Sequence, residues 1–205
     1  MDVEINTEQR IKDAAIRVFM EKGMFGARMQ DIADAANINK AMLHYYFRTK
    51  KQLFEIVFQE QFFKVFQALG EIIFTDLPFE EKIPILIKKE IALFSKVPVL
   101  PLFILNEGWQ NSEIIHRILE GKPIQLIRAE LQKSINDAVK RKVIRQVKAH
   151  EVLINIMSLV IYPFIAKPII TSVFCKNEKE YHQLMKNRDQ VVTQIIMQSL
   201  KPESI

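Results

Sequence analysis

The chain has 205 residues, 49% hydrophobic and 26% charged, with 5 Gly, 8 Pro, one Cys and a formal net charge of +5. These proportions exclude a disordered tail and a collagen-like fibre, and the scarcity of Gly and Pro argues against a turn-rich β-sandwich. A lone Cys175 excludes a disulfide framework and any multi-cysteine zinc or iron–sulfur site, and a modest basic excess permits nucleic acid as a partner without requiring it.

The start, Met1–Arg10, is polar with acids at Asp2 and Glu4, unlike a secretory signal, so a cytoplasmic protein is expected. Ile11, Ala14, Ala15, Val18 and Phe19 recur at helical spacing, with Asn6 and Thr7 as candidate caps and Gly23 as a stop. A first helix over Thr7–Lys22 follows. Met29, Ile32, Ala33 and Ala36 form the inner face of a short second helix, whose start lacks a capping residue type. Asn37 suits the left-handed conformation of a tight turn, and Asn39 can cap a third helix over Lys40–Phe47. A long fourth helix runs from Lys50 to Leu69 on Leu53, Phe54, Val57, Phe58, Phe62 and Phe66.

Beyond Gly70 the pattern stays helical. Asp76-Leu77-Pro78 opens a helix to Ser95 with Pro84 in its first turns, and a segment after Pro98 and Pro101 ends at Trp109-Gln110. Ser112 starts a short helix stopped by Gly121, and Pro123 opens a long one to Lys142. Ala149–Ile161 is strongly apolar and ends or bends near Pro163. Its uncharged run, Val152–Ala166, falls short of the roughly 20 residues a membrane span needs and reads as a buried helix. A last amphipathic helix covers Glu178–Leu200, and no repeat or β-pattern is present.

Met29–Phe47 therefore reads as helix, tight turn, helix, the arrangement whose second helix enters the DNA major groove. Between Ala36 and Phe54 stand Lys40, Arg48, Lys50 and Lys51 and no acid, with His44, Tyr45 and Tyr46 as further donors. Helical geometry turns Leu43 and Phe47 inward and leaves Lys40, Ala41, His44 and Tyr45 outward. Lys40 in the first turn suits guanine, and Ala41 permits close approach or meets a thymine methyl.

These residues resemble the tetracycline-repressor (TetR) family of transcriptional regulators. The likeness is carried by Ile11, Ala14, Ala15, Phe19 and Gly23, by Met29-Gln30-Asp31-Ile32-Ala33, Ala36, Ile38 and Lys40, and by His44-Tyr45-Tyr46-Phe47, Thr49-Lys50 and Leu53. It covers about Thr7–Leu53. The chain departs from the family at Asn37, Asn39 and His44, where Gly, Ser or Thr, and Tyr are common, and at Arg28, where a Thr near the helix start is common. The resemblance implies an all-α protein with a three-helix helix-turn-helix DNA-binding domain over 1–51 and a larger helical ligand-binding and dimerisation domain over 52–205. It implies a repressor that binds a palindromic operator as a homodimer and is released by a small effector. Arg28, Asn39, Lys40, Ala41, His44, Tyr45, Tyr46 and Lys50 become the DNA-contact candidates, with Tyr46, Lys50 and Arg28 directed at phosphate.

For the effector, an apolar or aromatic molecule among Phe66, Phe103, Trp109, Met157 and Phe164 is expected, oriented by Asn106 and Glu107; the plain alternative is an ordinary core. The basic run Lys140-Arg141-Lys142 with Arg145 and Lys148 reads as a solvated helix end and loop. No G-x-G-x-x-G, P-loop or H-E-x-x-H motif occurs, and His44, His116, His150 and His182 are scattered, so no enzyme, cofactor or metal is expected. The rival readings are a helical small-molecule-binding protein or enzyme without a DNA role, and a membrane-surface protein using its Phe-rich helices.

Overall fold

Twelve α-helices and no β-strand make up the described residues, 2–119 and 123–202, of the computed structural model. In chain order they are α1 (Asp2–Gly26), α2 (Met29–Ala36), α3 (Lys40–Tyr46), α4 (Lys50–Ile73), α5 (Phe79–Lys96), α6 (Leu100–Gln110), α7 (Ser112–Leu119), α8 (Pro123–Lys140), α9 (Ala149–Ile165), α10 (Lys167–Phe174), α11 (Glu178–Lys186) and α12 (Arg188–Ser199). None is long and apolar enough by itself to cross a membrane.

Several boundaries differ from the sequence expectation. Helix α1 begins at Asp2, so Asn6 and Thr7 lie inside it and are not caps. Helix α3 ends at Tyr46 with Phe47 as its C-cap, and α4 runs past Leu69 and Gly70 to Ile73. Gly121, expected to stop α7, lies outside the described residues. The apolar helix continues through Pro163 to Ile165 and a separate α10 follows at 73° to it. The last stretch is two helices broken at Asn187.

The chain divides into two compact units, residues 1–64 with 102–120, and residues 65–101 with 121–205. In the first, Ile11, Ala14, Ala15 and Phe19 of α1, Ile32 and Ala33 of α2, and Leu43 of α3 are fully buried. The Phe19 ring meets Phe54 edge-on at 5.1 Å, and Phe54 and Phe58 of α4 contact Phe103 of α6 at 6.2 and 5.6 Å. Each such aromatic pair adds about 0.5–1.5 kcal/mol to the area it buries.

In the second unit α5 packs on α8, α9 and α12, with Ile83, Leu86, Leu131, Ile135, Val160 and Val192 fully buried. Two side chains complete broken backbone ladders there. Pro163 has no N–H to give the Leu159 carbonyl, and Arg188 at the start of α12 donates to it instead, at 2.9 Å. The Tyr181 hydroxyl donates to the Pro163 carbonyl at 3.1 Å. Lys82, 3% exposed, donates to the Ile73 carbonyl at 2.9 Å and so caps the end of α4. The basic run is less solvated than its sequence suggests: Arg141 grips Glu80 through two bonds of 2.6 and 2.8 Å, and Arg145 donates to the Ser199 carbonyl at 2.9 Å.

Candidate nucleic-acid interface

The α2–α3 pair is built from its turn outward. Asn37 adopts φ 53°, ψ 52°, and the Asn37 and Ile38 N–H groups return to the Asp34 and Ala33 carbonyls, both at 3.0 Å. That closes α2 in the left-handed way that Asn tolerates. Asn39 is extended, and its Oδ1 accepts the Met42 N–H at 2.7 Å. Such a cap contributes about 1 kcal/mol.

Two arginines of α1 finish the carbonyl end of α2. Arg10 donates to the Ala36 and Asn37 carbonyls at 2.7 and 3.4 Å, and Arg17 to the Ala35 carbonyl at 3.3 Å. Cations there complement the helix dipole. At the other end Asp31 accepts the Arg28 N–H at 3.2 Å and Lys22 Nζ at 2.9 Å. The start of α2, which lacks a capping residue type, is thus capped from within by Asp31. The Lys22 hydrogen bond, with the Arg28 N–H, holds the Asp31 carboxyl below the usual carboxylate range.

Helix α3 turns Leu43, with Phe47 just after it, into the core and leaves Lys40, Ala41, Met42, His44 and Tyr45 exposed. Tyr45 is 78% exposed while Tyr46 is half-buried, their rings edge-on at 5.4 Å. His44 Nδ1 lies 3.3 Å from the Arg48 carbonyl; with the proton on Nδ1 this is a hydrogen bond, and Nε2 is left as an acceptor. Met42, exposed at 43%, is a further member of this outward face, not singled out in the sequence. Arg28, Arg48 and Lys51 are exposed around α3's two ends in sequence.

Lys50 is engaged. Its Nζ donates to the Ala27 and Phe25 carbonyls at 2.9 and 3.3 Å, leaving one ammonium proton of three uncommitted. Thr49 Oγ1 accepts the Gln52 N–H at 3.1 Å and caps α4.

The effector candidates are scattered. In the first unit Phe103 is buried between Phe54 and Phe58, and Glu107, 1% exposed, bonds the Met24 N–H at 3.1 Å and Asn111 Nδ2 at 3.4 Å. Asn106 is exposed and accepts from Gln110, and Trp109 is 90% exposed and lines no buried space. In the second unit Phe66 is half-buried, Met157 is exposed, and Phe164 is buried against Phe94 at 5.8 Å. A cleft of about 220 Å³ in the first unit is lined by Met24, Lys51, Phe54, Glu55, Asn111 and Arg117 among others, and by none of these candidates.

Residues 11–57 match the family described as bacterial regulatory proteins, tetR family. Over that segment the chain is similar to the TetR family. That family is one of regulatory proteins. Over 48 residues the chain is 46% identical to the biofilm operon icaADBC HTH-type negative transcriptional regulator IcaR of Staphylococcus aureus, a match that spans 23% of this chain and 26% of that relative's length. It is 23% identical over 174 residues, 83% of each chain, to the HTH-type transcriptional regulator YttP of Bacillus subtilis. Its fold is similar to that of the transcriptional regulator FadR of Bacillus subtilis in complex with stearoyl-CoA, with a TM-score of 0.64, 17% identity and coverage of 90% and 97%.

Proposed function

We propose that the chain is a DNA-binding transcriptional regulator, a repressor that reads a near-palindromic operator as a homodimer through α3 and is released by a small apolar or aromatic effector. The DNA-binding domain is assigned to residues 1–51 and the effector and dimer functions to 52–205, in the cytoplasm. The observation that carries this is the outward row Lys40, Ala41, His44 and Tyr45 on a helix whose inward residues, Leu43 and Phe47, are anchored in the core. Repression is supported by the likeness to a negative regulator over the helix-turn-helix segment, and an apolar effector by the stearoyl-CoA held by a protein of similar fold. Exposed Ile154 and Tyr162 on α9 and Val191 and Ile195 on α12 are apolar surface that a second copy would cover.

Lys40 and Ala41 read bases, while Arg28, Tyr46 and the remaining proton of Lys50 meet phosphate. Asn39 contributes by capping α3, and His44 and Tyr45 flank the reading row. Helix α4, which starts at this surface, transmits the effector's presence. The test is selection of duplexes from a random library, followed by anisotropy titrations. Lys40→Ala should lose about 1–3 kcal/mol of binding and relax preference at one position. A uniform loss across all base substitutions would show that Lys40 reads nothing.

A further inference from the structure

Glu107 is the one buried carboxylate of the first unit's later segment whose hydrogen bond reaches 83 residues back along the chain among the described residues. It meets α1 where that helix breaks. Gly23 sits at φ 66°, ψ 175°, a conformation that L side chains rarely adopt, so the Met24 N–H loses its partner in the preceding turn. Past the break, the Ala27 N–H donates to the Gly23 carbonyl at 3.2 Å and closes a single turn.

That turn is held at both ends. Glu107 Oε1 accepts the Met24 N–H at 3.1 Å, and Asn111 Nδ2, 3.4 Å from Oε2, steadies the carboxylate from one turn further on. At the carbonyl end, Lys50 Nζ bonds Phe25 and Ala27. An anion on the N–H end and a cation on the carbonyl end both match the dipole of the turn. The turn leads straight into Arg28, the N-cap of α2, and the Lys22–Asp31 pair closes the elbow. There is no slack at the contact: a Cβ on residue 23 would stand 3.1 Å from Glu107 Oε1.

We infer that Glu107 is a positioning residue for DNA binding. From α6 it fixes the turn 24–27, and through that turn the angle at which α2, and hence α3, leaves α1. The inference rests on the reading of α3 as the DNA-contacting helix. It adds a second input beside α4, because a shift of α6 by about 1 Å would carry the 3.1 Å bond beyond hydrogen-bonding range. The α1–α2 elbow therefore registers where α6 stands.

The test uses the full chain and a duplex that the wild type has enriched from a random library, with a scrambled duplex of equal length as control. Binding of both is followed by anisotropy in Glu107→Ala, Glu107→Gln and Asn111→Ala, alongside hydrogen exchange at the Met24 amide. Glu107→Ala should weaken the enriched duplex about tenfold, because the part-buried Met24 N–H loses its partner and the turn its anchor, while scrambled-duplex binding is unchanged and the Met24 amide exchanges faster. Glu107→Gln keeps a carbonyl oxygen at the same place and should restore both. Should Glu107→Ala fail to fold, Asn111→Ala, which removes the side chain that steadies the Glu107 carboxylate, carries the same expectation in smaller degree. Unaltered enriched-duplex affinity in Glu107→Ala, or equal loss on both duplexes without rescue by Gln, would overturn the inference alone. A wild-type chain that enriches no duplex would overturn the DNA-binding reading, and this inference with it.

Discussion

Glu107 in the first unit and Glu90 in the second are the same side chain at nearly the same burial, 1% and 2% exposed. Their surroundings differ. Glu107 lies where a backbone break supplies an N–H, and an Asn supplies a second donor. Glu90 shares the inner face of α5 with Leu86, Ile87 and Phe94, its Oε2 has no hydrogen-bond partner, and burial pushes its pKa up to about 7. Burial alone does not decide what a carboxylate does in a helical core. The donors within reach decide it.

The largest expected effect is a pH dependence carried by Glu90. Glu90 keeps its proton in the folded chain up to about pH 7, against an ordinary 4.5. Between those values the folded state binds more protons than the unfolded one. The stability this group contributes is therefore complete below about pH 4.5 and is lost as pH rises through 7. On the order of 3 kcal/mol should disappear across that window in urea denaturation, and Glu90→Gln should flatten the slope. A Gln variant with the wild-type pH profile would mean that Glu90 finds a donor in solution.

Next in size, Glu107→Ala should destabilise the first unit by about 1 kcal/mol through the part-buried Met24 N–H left without its partner, measured by the same denaturation at a single pH. Equal stability of wild type and variant would erase the contrast. The smallest effect belongs to a carboxylate with one foot in water. Arg141, through its paired hydrogen bonds, holds the Glu80 carboxyl below the usual range, the opposite direction from Glu90. Its contribution is present above the ordinary carboxylate pKa and is lost as pH falls. Arg141→Ala should return the Glu80 carboxyl toward its ordinary range and lower stability only slightly, less at high salt.

The same contrast explains how much the sequence disclosed. The α2–turn–α3 segment is specified by neighbours a few residues apart: the left-handed Asn37, the Asn39 cap, and the inward spacing of Leu43 and Phe47. Those signals are local, and they were legible. The grip of Arg10 and Arg17 on the end of α2 spans 18 to 27 residues and left no local mark. Lys50 read as a free phosphate contact because nothing nearby in sequence announces the carbonyls of Phe25 and Ala27. Glu107 and Trp109 were read alike, as polar and aromatic members of a greasy stretch, yet one is buried on a helix break and the other is in water. Later in the chain, Asn187 and Ala166 end helices without Gly or a clear cap, so α10 and the α11–α12 division stayed hidden. Pro163 promised a stop or a bend; the helix runs on to Ile165 before it turns by 73°, with a residue far downstream supplying the donor that the proline lacks.

That donor sets an order of assembly. The ladder of α9 has a gap at Leu159 that no residue of α9 can close, and Arg188 closes it from the first position of α12. While the ribosome is still adding residues, α9 can wind on either side of Pro163 but its middle is unfinished, and a chain halted at Lys186 leaves the Leu159 carbonyl without this donor. Completion of a helix that begins at Ala149 therefore waits on a residue made 39 positions later.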